Sequence, residues 1–104
     1  MSVFRLKILI PEKGFYDSQV ISVTVVSTKG RLTVLAGHAP MVAVLTEGLI
    51  RIRTEQGTIE GITGRGVLQV GRNETVIMVH AFKWSDDDTE TLPAEDASVN
   101  DGLL

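Results

Sequence analysis

Few residues in this 104-residue chain are of types that could do chemistry. There are two histidines, His38 and His80, and no cysteine, so disulfide bonds and thiolate metal sites are excluded. With only two histidines, a structural zinc site would need carboxylates at positions that do not suit one. Gly64-Arg65-Gly66 does not form a phosphate-binding loop, and no G-x-S-x-G nucleophile elbow occurs. We therefore expect no metal site, no cofactor and no catalysis.

The carboxylates are concentrated at one end of the chain. Residues 1–84 contain ten basic and six acidic side chains, a net +4, whereas residues 85–104 contain seven acids and no base. Three of these acids are consecutive, Asp86-Asp87-Asp88, but adjacent carboxylates in a flexible chain seldom converge on one cation. An excess of +4 that is dispersed along the chain does not indicate a nucleic-acid partner. We interpret the acidic run as a solvated tail.

The hydrophobic pattern along the sequence has a period of two. Two sets of side chains alternate over residues 4–10, 21–25, 50–53 and 76–80, as Ile50 and Ile52 do with Arg51 and Arg53. A period of two is the pattern of half-buried strands. Turn signals that contain glycine separate these runs, and the short strands recur at roughly 8- to 12-residue spacing. This spacing predicts an all-β protein, an antiparallel β-sandwich of about eight to ten strands within residues 2–83, with no long helix.

The chain divides into a predicted β-sandwich domain, residues 1–84, and an acidic tail, residues 85–104. We expect the tail to be disordered or loosely bound. The alternative is that it folds back on the basic body, a contact that salt would weaken. The tail shows no amphipathic stripe, and Pro93 would interrupt a helix. We expect Trp84 to cap the edge of the sandwich. The N-terminus is not a signal peptide, and no apolar run approaches the ~20 residues that span a bilayer. These features predict a soluble intracellular protein with no direct membrane insertion.

The segment around residues 37–40 contains residues that a turn alone does not require. An apolar strand with Leu32 and Val34 is followed by the break Gly37-His38-Ala39-Pro40 and by a second apolar strand. Glycine permits backbone angles that other residues avoid, and proline restricts both itself and the residue before it. These two residue types explain the break. The histidine and the small alanine inside it are not needed to close a hairpin.

Several segments, in order, resemble one known family. They are residues 8–12 (ILIPE), 15–23 (FYDSQVISV), 30–40 (GRLTVLAGHAP), 48–53 (GLIRIR), 66–70 (GVLQV) and 75–79 (TVIMV). Together they resemble the ε subunit of F-type ATP synthases over roughly three quarters of the chain. The chain departs from the family pattern at Thr33, Ala36 and Arg65, and Arg31 replaces a residue that is commonly acidic.

The resemblance implies a function. The family subunit is a non-catalytic part of the rotor, or central stalk, clamped to the γ subunit and standing on the ring of c subunits. It couples ion translocation to ATP synthesis as one copy in a hetero-oligomeric complex. The location implied is peripheral, on the cytoplasmic face of the bacterial plasma membrane. We find no counterpart of the family's inhibitory C-terminal helical hairpin in this sequence, which is therefore expected to be either a naturally short form or a truncated one. The acidic ending favours the natural short form, which would lack the inhibitory role.

The resemblance also suggests which residues bind γ or the c-ring. We predict partner contacts at Arg31, His38, Ala39, Met41 and Val42. Arg31 would meet polar loops of the c-ring, or it is simply a solvated arginine. His38 would contact γ or the c-ring, or it bonds to its own turn. Met41 and Val42, with Val44, form either an apolar patch for γ or part of the strand core.

Two other functions remain open. A stand-alone all-β binding module for a protein or carbohydrate usually presents aromatic platforms. The five aromatic residues here instead cluster near the two termini of residues 1–84 in the sequence. A small hydrolase or isomerase would need convergent titratable groups in a cleft. Arg51 and Arg53 alternate with apolar residues and indicate either a basic stripe or the solvent side of a strand. An exposed apolar patch on one face would favour the rotor subunit over both alternatives.

Overall fold

A computed structural model describes residues 2–11 and 14–85. Ten strands occupy these residues, and the described residues contain no helix, so the predicted all-β fold and strand number are confirmed. The predicted disorder of the tail concerns residues that, Ser85 apart, lie outside the described part. The strands are β1 (Phe4–Ile10), β2 (Gly14–Val20), β3 (Ser22–Ser27), β4 (Gly30–Leu35), β5 (Met41–Leu45), β6 (Gly48–Thr54), β7 (Gly57–Thr63), β8 (Gly66–Val70), β9 (Glu74–Val79) and β10 (Phe82–Trp84).

The strands form one hydrogen-bonded sheet that curls into two layers. The first sheet has the order β10-β7-β6-β3-β4, and the second has the order β5-β8-β9-β1-β2. They are joined where Ser27 of β3 pairs with Leu45 of β5. All pairs are antiparallel except β1 and β9, which are parallel with Ile8 opposite Ile77. This parallel pair differs from the wholly antiparallel sandwich predicted, because β1 and β9 are distant in sequence and no turn constrains their direction.

The break after β4 carries the chain from one sheet to the other. β4 pairs with β3, and β5 pairs with β8, so the two strands around the break do not form a hairpin with each other. Gly37 has φ of 82°, a left-handed conformation that favours glycine. The His38 amide donates to the Leu35 carbonyl at 3.1 Å, which tightens the bend. The predicted break is therefore a crossover between layers.

The core between the layers is aliphatic. Pairs of alternating residues such as Leu6 and Ile8, or Ile50 and Ile52, are fully buried. Aromatic side chains close the seam between the two outer strands instead. Trp84 of β10 packs edge-on against Tyr16 of β2, with ring centroids 5.6 Å apart, and against Phe82 at 4.5 Å. This confirms the prediction that Trp84 caps the edge of the sandwich.

The first residue of β8 leaves no room for a side chain. A Cβ at Gly66 would collide with the Met78 carbonyl oxygen and would lie 2.8 Å from the Val79 Cα. We predict that Gly66→Ala lowers the free energy of unfolding by about 1–3 kcal/mol, the usual cost of overpacking, in urea denaturation. Gly64→Ala is the matched control, because its Cβ would approach Ala81 only to 3.4 Å. Equal losses in the two variants would contradict the collision.

Candidate partner-binding surface

The structure arranges the predicted contact residues around β5. The turn before β5 contains His38 and Ala39, and the strand itself begins with Met41 and Val42. At the other end of β5, backbone hydrogen bonds connect the strand to the β3–β4 hairpin: Thr28 donates to the Val44 carbonyl at 3.0 Å, and Thr46 donates to the Val26 carbonyl at 3.1 Å. The tip of that hairpin leads into Arg31. The five residues thus form two groups, Arg31 near one end of β5 and the other four near the opposite end.

The four residues at the start of β5 differ in what they offer a partner. His38 is half-buried, and its Nδ1 lies 2.8 Å from the Ala39 carbonyl oxygen, so the ring is bonded to its own turn. Met41 packs against the core, because the period of two turns its side chain inward. Val42 points outward and is 65% exposed. Ala39 is exposed in the turn. Among these side chains, Val42 presents the most apolar surface.

Val42 is part of a larger apolar surface on the outer side of the second sheet. We call this surface the apolar face; it comprises Leu9, Val42, Val44, Val67 and Met78. Val44 lies opposite Val67, Val67 opposite Met78, and Met78 opposite Leu9. Four adjacent strands therefore carry one continuous row of apolar side chains. Val44 is 56% exposed, Met78 41% and Leu9 38%.

A groove runs beside this row. It has a volume of about 690 Å³ and is lined mainly by apolar groups, including Leu9, Pro11 and Met78. Gly66 and Val67 at the start of β8 complete its lining. His80 lies at the rim, where its amide donates to the Arg65 carbonyl at 3.1 Å. The groove is thus an apolar depression with one titratable ring at its edge.

Ion pairs mark the other end of the same sheet. Arg5 binds Asp17 through two hydrogen bonds, from Nε at 2.9 Å and from an Nη at 2.7 Å. Lys7 lies 3.7 Å from a carboxylate oxygen of Glu74. The hydrogen bond from Arg5 lowers the pKa of the Asp17 carboxyl, and the same contact raises the pKa of Arg5. The outer side of the second sheet therefore changes from apolar to charged along its strands.

Sequence reasoning identified Val42 and Val44 and missed Leu9, Val67 and Met78. A signal was available: β1, β8 and β9 carry apolar residues on both sides of the strand. Leu9, for example, takes the outward side that Arg5 and Lys7 also take. When both sides of a strand are apolar, a hydrophobic pattern with a period of two does not show which side faces solvent.

Arg51 and Arg53 lie on the outer side of the first sheet. Their neighbours Ile50 and Ile52 are fully buried. Arg51 pairs with Glu60 at 2.7 Å. These positions confirm the interpretation that the two arginines lie on the solvent side of a strand. They are not part of the apolar face.

The described residues offer no other kind of site. Within residues 2–11 and 14–85, no three His, Asp or Glu side chains group closely enough to hold a metal ion. The same part of the chain contains no helix long and apolar enough to cross a membrane.

Comparison with known proteins decides the family. The family model described as "ATP synthase, Delta/Epsilon chain, beta-sandwich domain" matches residues 3–85. The chain belongs to this family. It is 32% identical over 83 residues to the ATP synthase epsilon chain of Clostridium kluyveri, covering 79% of this chain and 63% of that protein. It is 35% identical over 86 residues to that of Alkaliphilus oremlandii, covering 83% and 64%. The chain thus spans just under two thirds of the length of these relatives.

Solved structures share the fold at lower identity. A chain of the Euglena gracilis mitochondrial ATP synthase, in an assembly of OSCP, F1 and c-ring, superposes with a TM-score of 0.76 at 19% identity, covering 86% of this chain and 57% of that one. A chain from the central stalk and c-ring of the Tetrahymena thermophila mitochondrial ATP synthase gives 0.69 at 16% identity, covering 92% and 80%. The predicted resemblance and the β-sandwich are confirmed.

The Arg5–Asp17 pair predicts a pH dependence of stability. The pKa of Asp17 in the folded chain lies below its ordinary value of 3.8. The stabilisation is therefore present above that value and is lost as the pH falls through the lowered pKa of the folded state. We expect Asp17→Asn to be less stable than the unmodified chain at pH 7, with the difference shrinking on acidification, in urea denaturation across pH.

The matched control for this pair is Glu55→Gln. Glu55 is exposed and forms no ion pair with another described residue. Its substitution should leave the pH profile of stability unchanged. Titration of the Asp17 carboxyl by NMR gives a direct second reading, and a midpoint at or above 3.8 in the folded chain would contradict the prediction.

Proposed function

We propose that this protein is a non-catalytic rotor subunit of an F-type ATP synthase, one that links the γ subunit to the c-ring and couples ion translocation to ATP synthesis. The observation that carries the proposal is the apolar face, taken together with membership of the delta/epsilon chain family. The subunit would act as one copy in a hetero-oligomeric complex. It would lie peripherally on the cytoplasmic side of the bacterial plasma membrane, without inserting into it.

The apolar face is suited to bind γ. Contiguous exposed apolar surface rimmed by polar groups is typical of protein interfaces, and Lys7 and Glu74 lie along the same strands as this surface. The face is built on strands held by hydrogen bonds to neighbours on both sides, so its backbone loses little freedom on binding. The exposed Val42 and Ala39 would extend this contact along the turn before β5, whereas Met41 supports it from the core side.

The β3–β4 hairpin is suited to contact polar loops of the c-ring. Ser27 Oγ accepts a hydrogen bond from the Lys29 amide at 3.1 Å and donates one to the Gly30 carbonyl at 2.7 Å. These bonds hold the tip in one conformation and present Lys29 and Arg31 to solvent. A basic, preorganised tip would meet polar or acidic groups of the c-ring.

The sandwich provides the stiffness that torque transmission needs. Its interior is filled by aliphatic side chains. Protein interiors are in general packed as densely as organic crystals and have low compressibility. The Tyr16–Trp84 contact closes the seam on the side opposite the β3–β5 junction. A body closed on both sides would resist shear between the face that binds γ and the hairpin that meets the c-ring.

Binding to γ tests the proposal through the apolar face. We expect a 1:1 complex with the γ subunit from the same source in size-exclusion chromatography, and we expect it to survive high salt because the contact is apolar. Val44→Glu should weaken the complex by about tenfold or more, since it removes an apolar contact and buries a charge. Ile62→Glu is the matched control, because Ile62 is 57% exposed but lies on the first sheet.

The outcomes separate the alternatives. Equal weakening by both substitutions would contradict the placement of γ on the apolar face. Absence of any complex between folded proteins would overturn the rotor function and favour the stand-alone binding module. If the complex dissociated at high salt, the rotor function would stand, but the contact with γ would be assigned to the charged residues instead of the apolar face.

The hairpin tip predicts a separate effect at the c-ring. Arg31→Glu should leave the complex with γ intact and reduce retention of that complex on purified c-ring by about tenfold in a pull-down assay, as reversal of an interfacial charge commonly does. Arg53→Glu is the control, since Arg53 is an exposed arginine on the first sheet, opposite Ser22 at the end of β3 that lies away from the hairpin tip. Equal retention of the two variants would contradict an Arg31 contact.

A further inference from the structure

A second exposed apolar site lies on the outer side of the first sheet. Leu49 of β6 is opposite Ile62 of β7, and Ile62 is opposite Lys83 of β10. Ile62 is 57% exposed and Leu49 is half-buried. Arg53 lies on the same side of β6, opposite Thr58. We call Leu49, Arg53, Ile62 and Lys83 the basic-apolar patch.

Two basic side chains of this patch have no ion-pair partner among the described residues. Arg51, which lies between Leu49 and Arg53 on the same side of β6, pairs with Glu60 at 2.7 Å. Arg53 and Lys83 form no ion pair with another described residue. A binding segment that matched the patch would therefore carry negative charge together with apolar side chains.

The chain itself supplies such a segment at this position. The Ser85 amide donates to the Glu60 carbonyl at 2.9 Å, so the described chain reaches residue 85 at the edge of the patch. Residues 86–104 contain seven acids and no base, and they also contain Leu92, Val99, Leu103 and Leu104.

The length of this segment is also sufficient. At about 3.3 Å per residue, its nineteen residues reach much farther than the width of three strands spaced about 4.8 Å apart. A segment tethered at the edge of its site binds at a high effective concentration.

We propose that residues 86–104 bind the basic-apolar patch of the same molecule. The acidic side chains neutralise Arg53 and Lys83, and the apolar side chains cover Leu49 and Ile62. This intramolecular contact shields the first sheet and leaves the apolar face of the second sheet for the partner. The inference concerns the isolated chain and does not depend on the proposed function, so the two can fail separately.

The full sequence contains no cysteine, so a single introduced cysteine can serve as a probe of the patch. In Ile62→Cys the single thiol reports whether the patch is covered, by its rate of reaction with uncharged N-ethylmaleimide. The comparison is between the native acidic segment and a full-length chain in which that segment is neutralised. The neutralising substitutions are Asp86→Asn, Asp87→Asn, Asp88→Asn, Glu90→Gln, Glu95→Gln, Asp96→Asn and Asp101→Asn.

We expect the thiol to react about three- to tenfold more slowly in the chain with the acidic segment at low salt, as one or two exposed ion pairs with apolar cover would give. The difference should vanish near 1 M salt, where charges are screened within about 3 Å. Arg53→Ala should speed the reaction in the acidic chain. Val42→Cys, exposed on the second sheet, should react equally in both chains.

Methyl NMR and the dependence on protein concentration are two further tests of the contact. Methyl NMR resonances of Leu49 and Ile62 should differ between the unmodified and neutralised chains while that of Val42 does not, which separates contact from an effect on thiol reactivity. Protection should be independent of protein concentration. Equal rates and equal resonances at low salt would overturn the proposal, and protection that grows with concentration would replace it by contact with a second copy.

Discussion

The two sheets depend on the hydrogen bonds that join β3 to β5. β3 pairs with β4 on one side and with β6 on the other, and its last residues then turn to β5 through Val26, Ser27 and Thr28. The junction pairs the end of β5, where Ser27 lies opposite Leu45, and thereby shortens the unpaired edge of the second sheet. Unpaired strand edges template aggregation. The junction also sets the hairpin tip beside the end of β5, so the two proposed contact regions share one rigid support.

Closure on the opposite side has a different physical basis. β2 and β10 do not exchange backbone hydrogen bonds, and their side chains meet instead through the edge-on contact of Tyr16 and Trp84. Aromatic pairs in this geometry contribute about 0.5–1.5 kcal/mol beyond the area that they bury. A short strand of three residues, β10, is enough to deliver Trp84 to this position. The sandwich is therefore closed by backbone pairing on one side and by aromatic packing on the other.

The sequence predicts the strands well because alternation is a local property. The buried pairs, such as Leu6 with Ile8, could be identified without knowing which strands are neighbours. The crossover at Gly37 could not be predicted, because the same local bend can form a hairpin or carry the chain to another sheet. Only the pairing of β5 with the distant strand β8 distinguishes the two. The exposure of Leu9 and Met78 was not predicted, for the same reason. Their strands are apolar on both sides, and long-range register determines which side faces solvent.

The exposed apolar residues are explained better by binding than by folding. Val42 and Val44 are mostly exposed in the folded chain, so their apolar surface contributes little to the free energy of folding. The same surface, buried by a partner, would contribute about 25 cal/mol per Å². Exposed apolar side chains on adjacent strands also risk self-association. A row that runs across four paired strands is consistent with selection for a binding partner, because its residues lie on separate elements and only the fold brings them together.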